Sequence, residues 1–385
     1  MFLRVVVVTF LLSAAAMAAG SRPVCPGPAS FGTARCHSHV TTDMNGSPKA
    51  AGTPSGYGPV QFRTAYSLPA SASTPQTIGI VDAYDDPNIE SDLAVYSSTY
   101  GLPSCTTANG CFKKVDQTGG TNYPRKDAGW SLEISLDVEI AHALCPNCSI
   151  LLVEANSNSF ANLIAAEDYA KANANVVSNS WGGSEFSSET TSTYDGHFNV
   201  PGKPITFSSG DSGYGVEYPA ASQYVTAVGG TTLTLNGNNT RNSETVWSGA
   251  GSGCSAYEPK PTWQKDTGCI RRTVADVGAD ADPNTGAAIY DTVRYQGQLG
   301  WFQVAARASR RPLSRRCTRW RATARTLSMD PIRTLTCQGY STLSPAAMAA
   351  VAAPTCALEK QATTVRRVTA RPTAPARSET LWVDA

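Results

Sequence analysis

Trp130-Ser-Leu-Glu-Ile-Ser-Leu-Asp-Val-Glu-Ile-Ala-His142 places two carboxylates, Glu133 and Asp137, one helical turn apart. The i,i+4 spacing stacks them on one face of a helix, close enough to touch. Leu132, Leu136 and Ile140 form a neighbouring apolar stripe that anchors such a helix to a core. Like charges in this arrangement repel, and they need a partner or a shared proton to be tolerated. Taken alone, the pair also fits an ordinary solvated acidic face. Its surroundings in the sequence separate the two readings.

The chain opens with Arg4, an apolar run from Val5 to Leu12 and the small residues Ala16-Met17-Ala18, so residues 1–18 read as a secretory signal peptide. That run is too short to span a membrane, and no later stretch is long and apolar enough. A secreted, extracellular protein is expected, with no membrane partner. Its 11 cysteines then point to disulfides rather than thiols. Close pairs such as Cys105/Cys111, Cys145/Cys148 and Cys254/Cys269 suit bridges, and Cys25 and Cys36 can staple the N-terminal part. Spacing alone does not fix connectivity. Cys145-Pro-Asn-Cys148 also matches a redox motif, although an exported chain favours a structural bridge.

The middle of the chain alternates strand-like and helix-like segments. Thr77 to Val81, Ser149 to Glu154, Asn175 to Ser178, Pro204 to Phe207 and Tyr224 to Val228 read as strands. Ser159 to Ala174 has helical periodicity, and Ser184 to Phe198 has it weakly. This alternation predicts an α/β fold, a mostly parallel sheet with helices on both faces and function at the strands' C-terminal ends. Two loops there can carry chemistry. Ser180-Trp-Gly-Gly183 follows a strand, and its glycines would let an extended peptide approach the backbone. Ser208-Ser-Gly-Asp-Ser-Gly213 is a tight turn that can aim Asp211 into a cleft. Each alone equally fits a plain loop.

Together and in this order, the segments resemble the sedolisin family of serine-carboxyl peptidases, which share the subtilisin-like fold. Beyond the acid pair and both loops, the resemblance rests on Tyr57-Gly-Pro-Val-Gln-Phe-Arg-Thr-Ala-Tyr66, Ala227-Val-Gly-Gly-Thr-Thr-Leu233 and Thr273-Val-Ala-Asp-Val-Gly-Ala-Asp-Ala-Asp-Pro-Asn-Thr-Gly286. It implies a serine-type endopeptidase acting on proteins or peptides, expected as a monomer with no nucleic-acid partner. In it Glu133 is the general base, Asp137 orients that base, and Asp211 donates to the oxyanion. Ser180, Trp181, Gly182 and Gly183 hold the substrate. A carboxylate base with a pKa near 4 works in acid, where a histidine would be protonated. Asp211 can donate only when protonated, so burial or negative neighbours must raise its pKa. The resemblance also implies a structural calcium, with ligands near the C-terminus. An ordinary subtilisin would need a catalytic histidine, and none of His37, His39, His142 and His197 has a His-Gly-Thr-His context. Glycoside hydrolysis is excluded, because its two acids must flank a bond from about 5 Å apart.

The resemblance breaks after Gly300-Trp-Phe-Gln-Val304. A nucleophile in Gly-Gly-Thr-Ser is expected there, and the chain reads Ala305-Ala-Arg-Ala-Ser-Arg-Arg-Pro312. Residues 305–385 hold 13 of the 22 arginines and are net +10, leaving residues 1–304 at net −9. Reading the codons one base out of register permits Gly-Gly-Thr-Ser at Ala305 and further family-like residues downstream. The tail therefore reads as the peptidase's last part translated out of frame. Neither Ser309 nor Ser314 lies in the family motif, and the calcium ligands fall in the same altered stretch. The expected organisation is a signal peptide (1–18), a flexible lead-in (19–56) rich in Gly, Ser, Pro and Thr, a truncated peptidase domain (57–304) and an Arg-rich, unstructured tail (305–385). An idle site is expected in this chain. The competing expectation is a non-catalytic secreted peptide-binding protein.

Overall fold

The computed structural model describes residues 20–304, which form eighteen strands and four α-helices, the acid-bearing helix among them. The strands are β1 (Gly20–Pro23), β2 (Arg35–Cys36), β3 (His39–Thr42), β4 (Ala50–Ala51), β5 (Thr77–Ala83), β6 (Phe112–Asp116), β7 (Ser149–Ala155), β8 (Val176–Asn179) and β9 (Trp181–Ser184). They continue as β10 (Ile205–Ser208), β11 (Glu217–Tyr218), β12 (Thr226–Leu235), β13 (Arg241–Val246), β14 (Gly253–Cys254), β15 (Thr273–Val274), β16 (Val277–Asp280), β17 (Ala287–Tyr295) and β18 (Gln298–Val304). The helices are α1 (Pro59–Ala65), α2 (Ile89–Tyr100), α3 (Ala128–Leu144) and α4 (Phe160–Asn173).

The central sheet runs β13-β12-β10-β8-β5-β7-β6, with β16 also paired to β12. All its pairings are parallel except that of β13 with β12. From β5 the chain first builds toward β6 and β7, then returns past β5 to add β8, β10 and β12. The order therefore reverses beside β5, and in open α/β sheets ligands bind outside the strands' C-terminal ends at such a point. Alternate β5 residues face opposite layers: Ile78 and Ile80 pack with Ile134 and Val138 of α3, whereas Gly79 lies against Ala170 of α4 and Ala174. The expected α/β sheet with helices on both faces is present.

Helix α3 starts where the Asp127 carboxylate accepts hydrogen bonds from the amides of Gly129 and Trp130, at 3.0 and 3.1 Å. Every residue from Trp130 to Leu144 is buried, so the helix has no solvated face. Leu132, Leu136 and Ile140 join one apolar cluster and Ile134 and Val138 another. The face that could have been exposed is covered by α2 and by β17, some 150 residues downstream. A solvated acid pair is thereby ruled out.

Two expectations are corrected. The segment from Ser184 to Phe198 forms turns and one short 3-10 helix, Asp195–His197, in place of a weak α-helix. Its Phe186, Tyr194 and Phe198 rings pack around Tyr218, and this ring cluster sets the backbone path. The lead-in is folded from residue 20 onward. β1, β3 and β4 join β18 and β17 in a second sheet, and β2 enters a third with β9 and β11. Edge pairing with distant strands fixes a segment that has little apolar content of its own. Four disulfides close Cys25–Cys36, Cys105–Cys111, Cys145–Cys148 and Cys254–Cys269, matching the expected pairs and the structural reading of Cys145/Cys148. The expected signal peptide and Arg-rich tail lie outside the described residues. Among the described residues, no helix is long and apolar enough to cross a membrane.

Candidate active site

Four carboxylates converge where the strand order reverses. Glu133 and Asp137 reach in from α3, and Asp82 from the C-terminal end of β5. Asp211 comes from the turn after β10, where Gly210 takes a φ of +110° that only glycine holds without strain. All four are at most 5% exposed. Burial is the main force on Glu133; Asp137 and then Asp211 add repulsion, and polar contacts from Ser38 oppose them without preventing a pKa well above the usual carboxylate range. Asp137 is pushed up to about 7 by burial, against a 2.9 Å hydrogen bond donated by Ser180 Oγ to Oδ1. Among the described residues, Glu133 Oε2 and Asp137 Oδ2 have no hydrogen-bond partner, which a proton held between the two groups would supply.

These shifts revise the expected pKa near 4 for the base. In the arrangement described, Glu133 is excluded from water, and burial disfavours its charged form. Asp82 carries the same signature, raised first by burial and then by Asp137, Glu133 and Glu154. Sequence reading placed Asp82 only as the end of a strand. An acid directly after an apolar parallel strand, at the end facing the cleft, was the available signal.

Asp211 has a different environment from the one expected. Its Oδ1 accepts from Arg35 Nη2, and His39 Nε2 lies 3.1 Å from its Oδ2, while Glu133 and Glu217 are acidic neighbours. One oxygen of Asp211 is thus engaged by the Arg35 guanidinium in this arrangement. Ser209 and Ser212 behave as turn residues, Ser209 Oγ donating to the Gly251 carbonyl at 2.7 Å.

The predicted substrate-binding segment is buried between two neighbouring strands. β9 pairs antiparallel with β11 on one side and with β2 on the other, Arg35 opposite Gly182 and Cys36 opposite Trp181. A Cβ on Gly183 would stand 2.5 Å from the Thr33 carbonyl oxygen, so the glycine here admits the chain's own backbone. The indole of Trp181 is a correction: it is fully buried, donates to the Val81 carbonyl at 2.9 Å and packs on Phe207.

The stretch expected to hold the calcium ligands lies outside the described residues. Among the described residues, two clusters have metal-compatible spacing, Cys105/Cys111/His142 and His37/Asp211/Glu217. The first contains a disulfide, and the second already holds the Arg35 guanidinium; neither is the cage of oxygens that calcium takes.

The sequence pattern of the Subtilase family matches residues 119–366, well over half of the chain. The chain belongs to the subtilase family. Within the subtilases its likeness is to the sedolisins. It is 29% identical over 299 residues to sedolisin of Pseudomonas sp. (strain 101), covering 67% of this chain and 49% of that protein. It is 30% identical over 270 residues to kumamolisin of Bacillus sp. (strain MN-32), covering 60% and 47%. The chain thus spans about half the length of the curated relatives it matches. Among solved structures, Pseudomonas sedolisin complexed with two molecules of pseudo-iodotyrostatin superposes with a TM-score of 0.56 at 28% identity, covering 72% of this subtilase and 83% of that chain. The family match runs past residue 304 into the Arg-rich segment, so the similarity is not confined to the described residues.

Proposed function

We propose that this site belongs to a secreted serine-type endopeptidase lineage that hydrolyses peptide bonds in acid, and that the chain as written is idle. The observation that carries the reading is the convergence of the buried Glu133, Asp137 and Asp211, with Ser180 of the predicted substrate-binding segment hydrogen-bonded to Asp137. In this reading Glu133, once hydrated and ionised, takes the hydroxyl proton of a serine as its oxygen bonds to the substrate carbonyl carbon. Asp137, fixed by Ser180, holds Glu133 in place. Asp211, once protonated and relieved of Arg35, donates to the oxygen that gains charge. Four disulfides support an extracellular setting.

The test pairs the written chain with one in which the coding DNA around codon 305 is read to restore Gly-Gly-Thr-Ser. Against acid-denatured protein substrate, the written chain is expected to cut nothing and the restored chain to cut. Glu133→Gln in the restored chain is expected to slow cutting by about 100- to 10,000-fold, the usual range for loss of a general base. Cutting that survives this change undiminished would remove Glu133 from the role. The pairing of β2 along β9 favours one second reading, a peptide-binding protein without chemistry, which predicts that the restored chain also cuts nothing.

A further inference from the structure

Two cysteines and one histidine meet at the C-terminal end of α3, away from the acid cluster. His142 lies in the last turn of that helix and is wholly buried. A ring nitrogen of His142 and the sulfurs of Cys105 and Cys111 all lie within 4.8 Å of one another. The imidazole is fixed in one tautomer. Its Nε2 stands 2.8 Å from the Pro103 carbonyl oxygen, which can only accept, so Nε2 carries the proton. Nδ1 keeps a free lone pair, and among the described residues this buried atom has no hydrogen-bond partner. One N–H donated to a backbone carbonyl, with the other nitrogen bare, is the arrangement that metal-ligating histidines adopt.

The loop that carries the two cysteines does not rely on its bridge for shape. Asn109 Oδ1 accepts from the amides of Thr106 and Cys111, both at 3.0 Å, and Asn109 Nδ2 donates to the Ser104 carbonyl at 2.9 Å. Phe112 N donates to the Thr106 carbonyl at 3.2 Å. From α2, the Glu90 carboxylate accepts from the amide and the hydroxyl of Thr107 at 2.7 and 2.8 Å. With the bridge open, these bonds still hold both cysteines against His142, and rotation about their Cα–Cβ bonds lets the sulfurs part. Cys105 is buried, whereas Cys111 is half-buried and lines an open cavity with Asn109, Asn147 and Cys148. That cavity gives an ion or a water a way in.

We propose that Cys105, Cys111 and His142 form a zinc site in the thiol form of this protein, with two thiolates and the His142 Nδ1 as ligands and the fourth position open to water from the cavity. Two sulfurs and an imidazole suit a borderline-soft cation and disfavour calcium and magnesium, which take oxygens. Opening the Cys105–Cys111 bridge takes two electrons and two protons from a dithiol, which itself becomes a disulfide. Zinc then displaces both thiol protons to solvent, so two thiolates balance its charge and the buried site is neutral. Closing the bridge reverses these steps and releases the ion. Bridge and zinc are thus exclusive occupants of one place, and a newly made chain, whose cysteines are still thiols, passes through the zinc-competent form first. Cys145 and Cys148 follow His142 closely in sequence but fall outside the grouping. Neither the acid cluster nor peptide cleavage enters the proposal.

Two measurements on the full chain, reduced with a phosphine, test it. In the first, cysteines are alkylated with and without zinc and located by peptide mass. Zinc is expected to slow labelling of Cys105 and Cys111 by about tenfold or more relative to Cys145 and Cys148. Equal labelling of all four, or protection of Cys145 and Cys148 instead, would overturn the proposal. In the second, cobalt(II) stands in for zinc as a visible probe. The reduced chain is expected to show the absorption of a tetrahedral cobalt–thiolate centre, which zinc bleaches and which C105S/C111S lacks. Cys317, Cys337 and Cys356 are present in both chains, so the difference belongs to the loop. Equal absorption by the two chains would overturn the proposal. His142→Gln is expected to weaken cobalt binding by about 10- to 100-fold or more, and undiminished binding would count against the site. If either variant does not fold, the labelling experiment, which needs no substitution, decides alone.

Discussion

The urea midpoint of this protein is expected to fall steeply as the pH is raised from 5 to 8. Away from the cleft the fold buries many further carboxyls. Burial pushes Glu154 up to about 9 despite Lys114 3.6 Å away, Asp291 to about 9, Glu167 to about 8 and Asp86 to about 7. An unfolded chain titrates these groups near 4. Between those limits the folded state holds protons that the unfolded state has released, so stability decreases as pH rises. The contribution is fully present below about pH 4 and is lost as pH climbs through 7 to 9. Each such group adds a slope on the order of 1.4 kcal/mol per pH unit, and two of them over two units rival the whole stability of an ordinary domain. Asp116 works in the opposite sense. Hydrogen bonds from Thr118 chiefly, and from Gly120 and Asn122, hold it down at about 2, so its contribution fades only as pH falls toward that value. The greatest stability is therefore expected near pH 4. Urea midpoints at pH 4, 5, 6, 7 and 8 measure this, and a flat profile would contradict the buried acids.

The largest single-residue effect on stability is expected at Arg272. Its guanidinium is wholly buried, donates to both oxygens of Asp276 at 2.7 and 2.6 Å, to the Thr273 carbonyl at 2.6 Å and through Nε to the Ser222 carbonyl at 3.3 Å, and lies over Trp263. It also opposes the buried Asp195 and Glu258. Arg272→Ala leaves a nearly buried carboxylate and two carbonyls uncompensated, a loss of about 3–5 kcal/mol for breaking such a pair. Arg272→Lys is expected to recover only part, since an ammonium cannot present the planar fork that Asp276 accepts. Denaturant titrations with unchanged m-values would report both, and a loss below about 1 kcal/mol for the alanine variant would contradict the account.

Much of the sheet was legible because parallel strands buried on both faces write short apolar runs, as Ser149–Ala155 and Val176–Asn179 do. The acid helix was legible too, although its leucine stripe suggested one buried face where the structure buries all of them. That difference arises from β17, whose position no local pattern encodes. Glu133, Asp137 and Asp211 are brought together as their order in the chain implied. Asp82 escaped notice because it has meaning only through its strand neighbours. The N-terminal segment was misread for a related reason. Gly, Ser and Pro content suggests flexibility, but the alternation of Arg35, His37 and His39 was a period-two signal whose partner face lies some 170 residues away.

The second sheet sets a timetable for synthesis. Val40 of β3 pairs with Val304 of β18, and β4 pairs with Trp301 and Phe302, so the first strands made must wait for the last ones described. Contacts of such long sequence separation form late. The pairing of β5 with β7 spans about 70 residues of chain and can precede the closure of that sheet. In pulse-labelled refolding, the Val40 amide is expected to gain protection after the amides of β5. Until the last strands arrive, the first ones are sheet edges without a partner, and a chain cut short before β18 leaves them so.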